Sequence, residues 1–130
     1  MRTNELLEKH PLTTEVVRTW FFDQMTASFS DENVPEEFKE MMKQEGVTNE
    51  RLTTFIDVQP RTLFDVFDEN DIVIETSLYP NGEFTIKIGN EATTNSWKTR
   101  KEAELFAIEA AFELLEERLK PIELPSLEEN

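Results

Sequence analysis

The chain has 130 residues, 28 of them acidic and 13 basic, for a formal charge of −15, with 10% aromatics and no cysteine. That length suits one domain with a real core, while the missing cysteines exclude a disulfide scaffold and any thiolate metal site and agree with a reducing compartment. The acidity argues against broad affinity for nucleic acid or anionic membranes, both of which call for cationic surface. It reads first as a solubilising surface, and alternatively as a surface that competes for a basic site on a partner.

No apolar run approaches the ~20 residues that span a bilayer, and no signal-peptide core follows Met1, so no membrane contact and a cytoplasmic location are expected. In chain order, residues 1–10 form a charged lead with one or two helical turns around Leu6 and Leu7, frayed at its start. The single histidine, His10, precedes Pro11 with no serine or cysteine constellation around it, which predicts a surface or capping role. Thr13 is a suitable N-cap for the first solid helix, with Leu12 and Val17 as a hydrophobic staple. Val17, Trp20, Phe21 and Met25 recur at helical spacing there, and Val16, Phe22 and Phe29 widen the apolar surface. This cluster reads as core, with a ligand pocket or partner groove as the alternative.

Pro35 suits the first position of a second helix with Phe38, Met41 and Met42 inward and Gly46 at its end. Thr48 or Asn49 starts a third, carrying Leu52, Phe55 and Ile56. A fourth starts at Pro60 and carries Leu63, Phe64 and Phe67. Asp65, Asp68, Glu69 and Asp71 gather at its end without the spacing of a calcium loop, so they read as an acidic turn.

Residues 71–119 form the organising unit. The stretch 72–79 is β-branched and alternating, and residues 84–88 alternate more cleanly. Two loops between them are conceivable. A two-residue loop at Asn81 and Gly82 would set apolar positions against polar ones. A three-residue loop, with Pro80 at the first turn position and Gly82 in the left-handed bulge, pairs Leu78 with Phe84, Thr76 with Ile86 and Ile74 with Ile88 on one face, and Glu75 with Lys87 on the other. A one-residue slip turns every side chain over, so the apolar pattern selects the second register. Residues 89–95 read as a loop, and Ser96, Trp97 and Lys98 as a candidate third strand. Thr99 and Glu102 match a capping box for a helix that runs to about Leu119 and stops before Pro121. Its apolar residues, from Ala103 to Leu119, span far more than the ~100° stripe of a surface helix. The sheet should therefore cover one side and the N-terminal helices the other. Residues 120–130, with two prolines, form an extended tail in which Ile122, Leu124 and Leu127 alternate.

The fold expected is α+β: four helices in residues 11–70, an antiparallel hairpin, and a long helix packed on the sheet, all in one domain. No glycine-rich phosphate loop, zinc spacing or serine elbow occurs, so no catalytic residue, metal or cofactor is expected. Charge is arranged in two places. Glu102, Glu109, Glu113, Glu116 and Glu117 form an acidic ridge on the long helix, a candidate interaction face. Lys98, Arg100 and Lys101 sit at its start, where the helix dipole makes anion capture reasonable; ion pairing with the chain's own carboxylates is the reading the acidity favours.

Strands followed by Trp97-Lys98-Thr99-Arg100-Lys101-Glu102-Ala103-Glu104 and an alanine-rich helix resemble, in topology, the second half of a double-stranded-RNA-binding domain. In that family lysines at the start of the final helix grip phosphates, and the resemblance implies that role for Lys98, Arg100 and Lys101. The stretches 61–70, 99–104 and 110–116 resemble small acidic proteins of phages and mobile elements in Bacteroides-type bacteria. This resemblance implies a setting, in a host cytoplasm or a phage particle, and no activity. The function expected is that of a non-enzymatic accessory protein acting by protein–protein contact. The alternatives are an anionic mimic that blocks a nucleic-acid-binding protein, RNA binding through the basic cluster, and a small-ligand or hydrolytic enzyme.

Overall fold

The computed structural model describes residues 2–27, 33–93 and 95–121. Along them run α1 (Thr3–Lys9), α2 (Pro11–Ala27), α3 (Glu36–Glu45), α4 (Asn49–Val58) and α5 (Thr62–Glu69), then β1 (Ile74–Leu78), β2 (Phe84–Ile88) and β3 (Glu91–Ala92), and finally α6 (Arg100–Leu119). The α+β class and the long last helix are as expected, with one helix more at the start. Phe29 and the tail residues Ile122, Leu124 and Leu127 lie outside the described residues.

The extra helix is α1, the two turns around Leu6 and Leu7, docked on the body of the fold. Its Thr3, Leu6 and Leu7 are buried. The Thr3 hydroxyl donates to the Asp57 carboxylate on α4, and the Thr14 hydroxyl of α2 donates to the Leu7 carbonyl at 2.8 Å. Two adjacent leucines are too little to hold a seven-residue helix in water; partners far along the chain supply the rest. Helix α2 begins at Pro11, three residues earlier than a Thr13 cap would allow, and Leu12 is left 38% exposed while Val17 is fully buried. Arg18 donates to the Val47 carbonyl and the Asn49 side chain, pinning the start of α4 on α2.

The next helix ends follow local chemistry closely. Gly46 ends α3 at φ +67°, donating to the Met42 carbonyl, and the Thr48 hydroxyl caps α4 by accepting from Arg51 N–H at 3.2 Å. Helix α5 starts after Pro60 and Arg61, two residues later than expected. It ends in a Schellman arrangement: Ile72 N–H bonds the Phe67 carbonyl at 2.8 Å and Asp71 N–H bonds the Asp68 carbonyl at 3.1 Å. Phe67 and Ile72, which flank the motif, are both sealed in the core. Asp71 occupies the left-handed position at φ +63°, usually a glycine's place. The acidic turn thus aims the chain from the last helical core residue into the sheet.

The hairpin adopts the three-residue loop. Tyr79 N–H bonds the Glu83 carbonyl at 2.8 Å and Gly82, at φ +88°, bonds back to the Tyr79 carbonyl. The register is the one the apolar pattern selects, with Leu78 opposite Phe84, Thr76 opposite Ile86 and Ile74 opposite Ile88. Strand order is β1-β2-β3. The third strand is Glu91–Ala92, inside the stretch expected as loop, while Trp97 makes only an isolated bridge to Phe84. Gly89, at φ +61°, supplies the tight turn that lets the chain double back on β2 so early.

Helix α6 is covered on two sides, as its wide apolar surface requires. Ala103 and Ala107 meet Ile86, with Ile74, Phe84, Ile88 and Trp97 around them. Ile108, Ala111, Phe112 and Leu115 join the helical core with Val17, Leu52, Leu63 and Phe67, where the Phe67 and Phe112 rings meet edge to face at 5.4 Å. Leu78 departs from expectation: it is 61% exposed. It sits at the hairpin tip of an edge strand, and α6 lies over β2 more than over β1.

The left-handed residue at the α5–β1 turn yields a signed test. Asp71→Gly should raise stability to urea by about 0.5–1 kcal/mol by relieving the backbone, and Asp71→Val should lower it by about 1–3 kcal/mol. Asp71→Asn, which removes only the charge, serves as the reference for both.

Candidate functional site

The acidic ridge is not continuous. Glu102, Glu109, Glu113 and Glu117 are exposed, but Glu116 is only 6% exposed and points into the junction with α2. Its Oε1 accepts the Thr13 N–H at 2.8 Å and its Oε2 accepts the Leu12 N–H at 3.3 Å. The first turn of a helix leaves backbone N–H groups without intrahelical partners. Here a carboxylate 103 residues away takes the capping role that Thr13 was expected to play, while the Thr13 hydroxyl donates to the Phe112 carbonyl at 3.3 Å. Burial alone would push the Glu116 carboxyl up. The Thr13 and Leu12 backbone N–H groups lead the effects that outweigh it and hold the group below the usual glutamate range. Glu116 therefore belongs to the fold and not to an interaction face. Glu104, which the sequence did not single out, is also buried; its Oε1 pairs with Arg61 Nε at 3.5 Å.

His10 is 6% exposed, so the surface role fails and the capping role holds. It ends α1, its Nδ1 donates to the Leu6 carbonyl at 2.8 Å, and its ring stands edge-on to Phe112 at 5.7 Å. Its carbonyl receives the Thr14 N–H at 2.9 Å, so the same residue closes one helix and opens the next.

At the start of α6, Lys98, Arg100 and Lys101 are all exposed. None makes an ion pair with another described residue. Arg100 lies over the Phe84 ring at 5.6 Å. Only half of the capping box forms: the Thr99 hydroxyl accepts the Glu102 N–H at 3.1 Å, and the Glu102 carboxylate stays in water.

The aromatic stretch of α2 was read as core, and its outer half is a groove. Trp20, Phe21 and Met25 of α2 lie beside Phe55 and Val58 of α4 around a cavity of about 590 Å³. Phe21 and Phe55 stack at 5.7 Å, Trp20 meets Phe21 edge to face at 5.2 Å, and the Trp20 indole N–H is buried without an acceptor. The lining contains no acid or base. The signal available in the sequence was Val58, three residues after Phe55 on one helix face and with no place in the helical core.

Among the described residues no three histidine, aspartate or glutamate side chains could hold a metal ion, and no helix is long and apolar enough to cross a membrane. Comparison with protein-family models, with curated proteins and with solved structures finds no match.

The Glu116 cap carries a pH signature. Its folded-state pKa is depressed, so its stabilisation is present above the unfolded glutamate value and is lost as pH falls through the folded one. Glu116→Gln, which leaves one N–H unanswered, should cost about 1–3 kcal/mol at neutral pH. In denaturant melts across pH, the gap to the parent should close in the acid range. A gap that stays constant down to full carboxyl protonation would mean that charge is irrelevant to the cap.

Proposed function

We propose that this chain is a non-enzymatic accessory protein that works by protein–protein contact, seating an apolar segment of its partner in the α2–α4 groove. The observation that carries this reading is Val58, 72% exposed beside the half-buried Trp20, Phe21, Met25 and Phe55. A lone exposed valine is ordinary; one bordering three half-buried aromatics and a methionine gives an apolar segment somewhere to sit. A lining without acid or base favours binding over catalysis. The charge of −15 would hasten encounter with a basic partner. The phage and mobile-element setting, and with it the host cytoplasm or phage particle as location, rests on the resemblance alone.

A photo-crosslinking phenylalanine analogue at position 58, in the chain expressed in a bacterial host, should trap one stoichiometric protein. Val58→Glu should abolish capture of that protein with the circular dichroism unchanged. No adduct would refute the groove. Capture that vanishes at raised salt and is competed by DNA would make the chain an anionic decoy instead.

A second reading has its own observation, three exposed cations at the N-terminus of the 20-residue α6 that make no ion pair among the described residues. That arrangement suits phosphate, in RNA as the topological resemblance implies. It predicts a mobility shift with duplex RNA at low ionic strength that Lys98→Glu with Lys101→Glu abolishes. Because salt weakens such contacts steeply, absence of a shift at low salt removes this reading.

A further inference from the structure

We propose that the open edge of the sheet joins two copies of this chain, β1 against β1, antiparallel about a two-fold axis at Thr76. Strand β1 ends the order β1-β2-β3, so only one of its sides is paired. The Val73 carbonyl accepts from Gly89 N–H at 2.8 Å, and Tyr79 N–H donates to the Glu83 carbonyl at 2.8 Å. Bonded pairs alternate along an antiparallel ladder, so Val73, Glu75, Ser77 and Tyr79 turn their backbone groups to β2. Ile74, Thr76 and Leu78 turn theirs outward, and no described residue outside the hairpin bonds to them. This edge shares no residue with the α2–α4 groove, so the proposal does not need that groove.

Free edges are normally blunted by lysine, proline, a bulge or a covering segment. The pairing from Ile74 to Leu78 runs without a bulge, and the strand contains neither lysine nor proline. Val73, Leu78 and Tyr79 are exposed large apolar side chains, gathered on or beside this one strand. A single exposed apolar residue means little; the observation that goes further is their order. From Val73 to Tyr79 the chain reads Val-Ile, then Glu-Thr-Ser, then Leu-Tyr. Apolar ends flank a polar centre, so the pattern matches its own reverse.

Register decides whether that symmetry can be used. With the axis at Thr76, Ile74 meets Leu78 of the second copy on the α6 face, and Val73 meets Tyr79 of the second copy on the outer face. Ile74, Thr76 and Leu78 are also the residues with outward backbone groups, so each N–H and C=O finds a counterpart. Charge fits as well: Glu75 has Lys87 opposite it in the hairpin and Ser77 of the second copy on its other side. An axis at Glu75 would set that carboxylate against itself, and like charges directly opposite destabilise a pair. An axis at Ser77 would set Thr76 against Leu78 and Glu75 against Tyr79. Thr76 satisfies both faces, and the result is an isologous interface with one sheet continuous across both copies. A single strand edge lies at the low end of specific contacts, below about 1,200 Å², so the dimer is weak and concentration-dependent.

The test is sedimentation of the full chain from micromolar to millimolar concentration, with amide exchange followed by NMR. A reversible passage from monomer to dimer is expected. Each copy carries a charge of −15, so screening by salt should tighten the dimer. The amides of Ile74, Thr76 and Leu78 should gain protection as it forms. Ser77→Lys, which faces Glu75 of the second copy, should tighten it about threefold or more, and Ser77→Glu should weaken it about as much. Position 77 is exposed, so both variants should keep the parent's circular dichroism. Glu37→Gln, which changes the net charge as much as Ser77→Lys but lies on α3, should leave the dimer nearly unaltered. A monomer at every concentration would overturn the proposal, as would an equal gain from Glu37→Gln or the same response to both substitutions at Ser77. Protection of the three amides that ignores concentration would also overturn it, because the chain would then cover its own edge.

Discussion

Helix α6 must be covered along two faces, and this constraint arranges everything else. On one face Ala103 and Ala107 bring its backbone close to Ile86 at the centre of the sheet. On the other, Ile108, Phe112 and Leu115 reach into the helical layer, where Phe112 is touched by both Phe67 and His10. Each large side chain buried this way is worth about 1.5–3 kcal/mol, so neither face can be left to solvent. The sheet is too small to stand without the helix, and the short N-terminal helices are too short to stand without either.

Covering α6 on the helical side drives the polar start of α2 against it, and an unanswered N–H there would cost about 1–3 kcal/mol. Glu116 resolves the conflict by turning its carboxylate inward, one residue past Leu115. A buried acid is tolerable when hydrogen bonds or a paired charge satisfy it; Glu116 has the first and Glu104, facing Arg61, the second. The remaining ridge stays in water, where the surplus of negative charge acts over the solvent and not through the core. The same row of glutamates therefore holds two kinds of residue with opposite roles.

What could be read from the residues and what could not divides by sequence distance. The hairpin register was legible because Pro80, Asn81 and Gly82 fix the loop and a period of two fixes the faces within fifteen residues. The Thr48 and Gly46 helix ends were legible for the same reason. The burial of α1 was not, because Thr3 finds its partner at Asp57. Glu116 was not, because nothing distinguishes a glutamate facing water from one facing α2 until both helices are placed. Leu78 shows the complementary failure: its register was right and its burial wrong, since pairing is local and coverage by α6 is not.

The groove follows from the same geometry. Once α6 and its partners have taken Val17 and Leu52 into the core, the second half of α2 still carries Trp20, Phe21 and Met25, which pack on that core but stay half-buried beside α4. Helix α4 is held alongside through Arg18 and supplies Phe55, but it is ten residues long and ends at Val58. The apolar surface of α2 thus exceeds what the chain supplies to cover it among the described residues. An indole N–H without an acceptor and a valine in water together cost a few kcal/mol. Neither is required by the packing of α6, so Val58 can be altered with the core left intact.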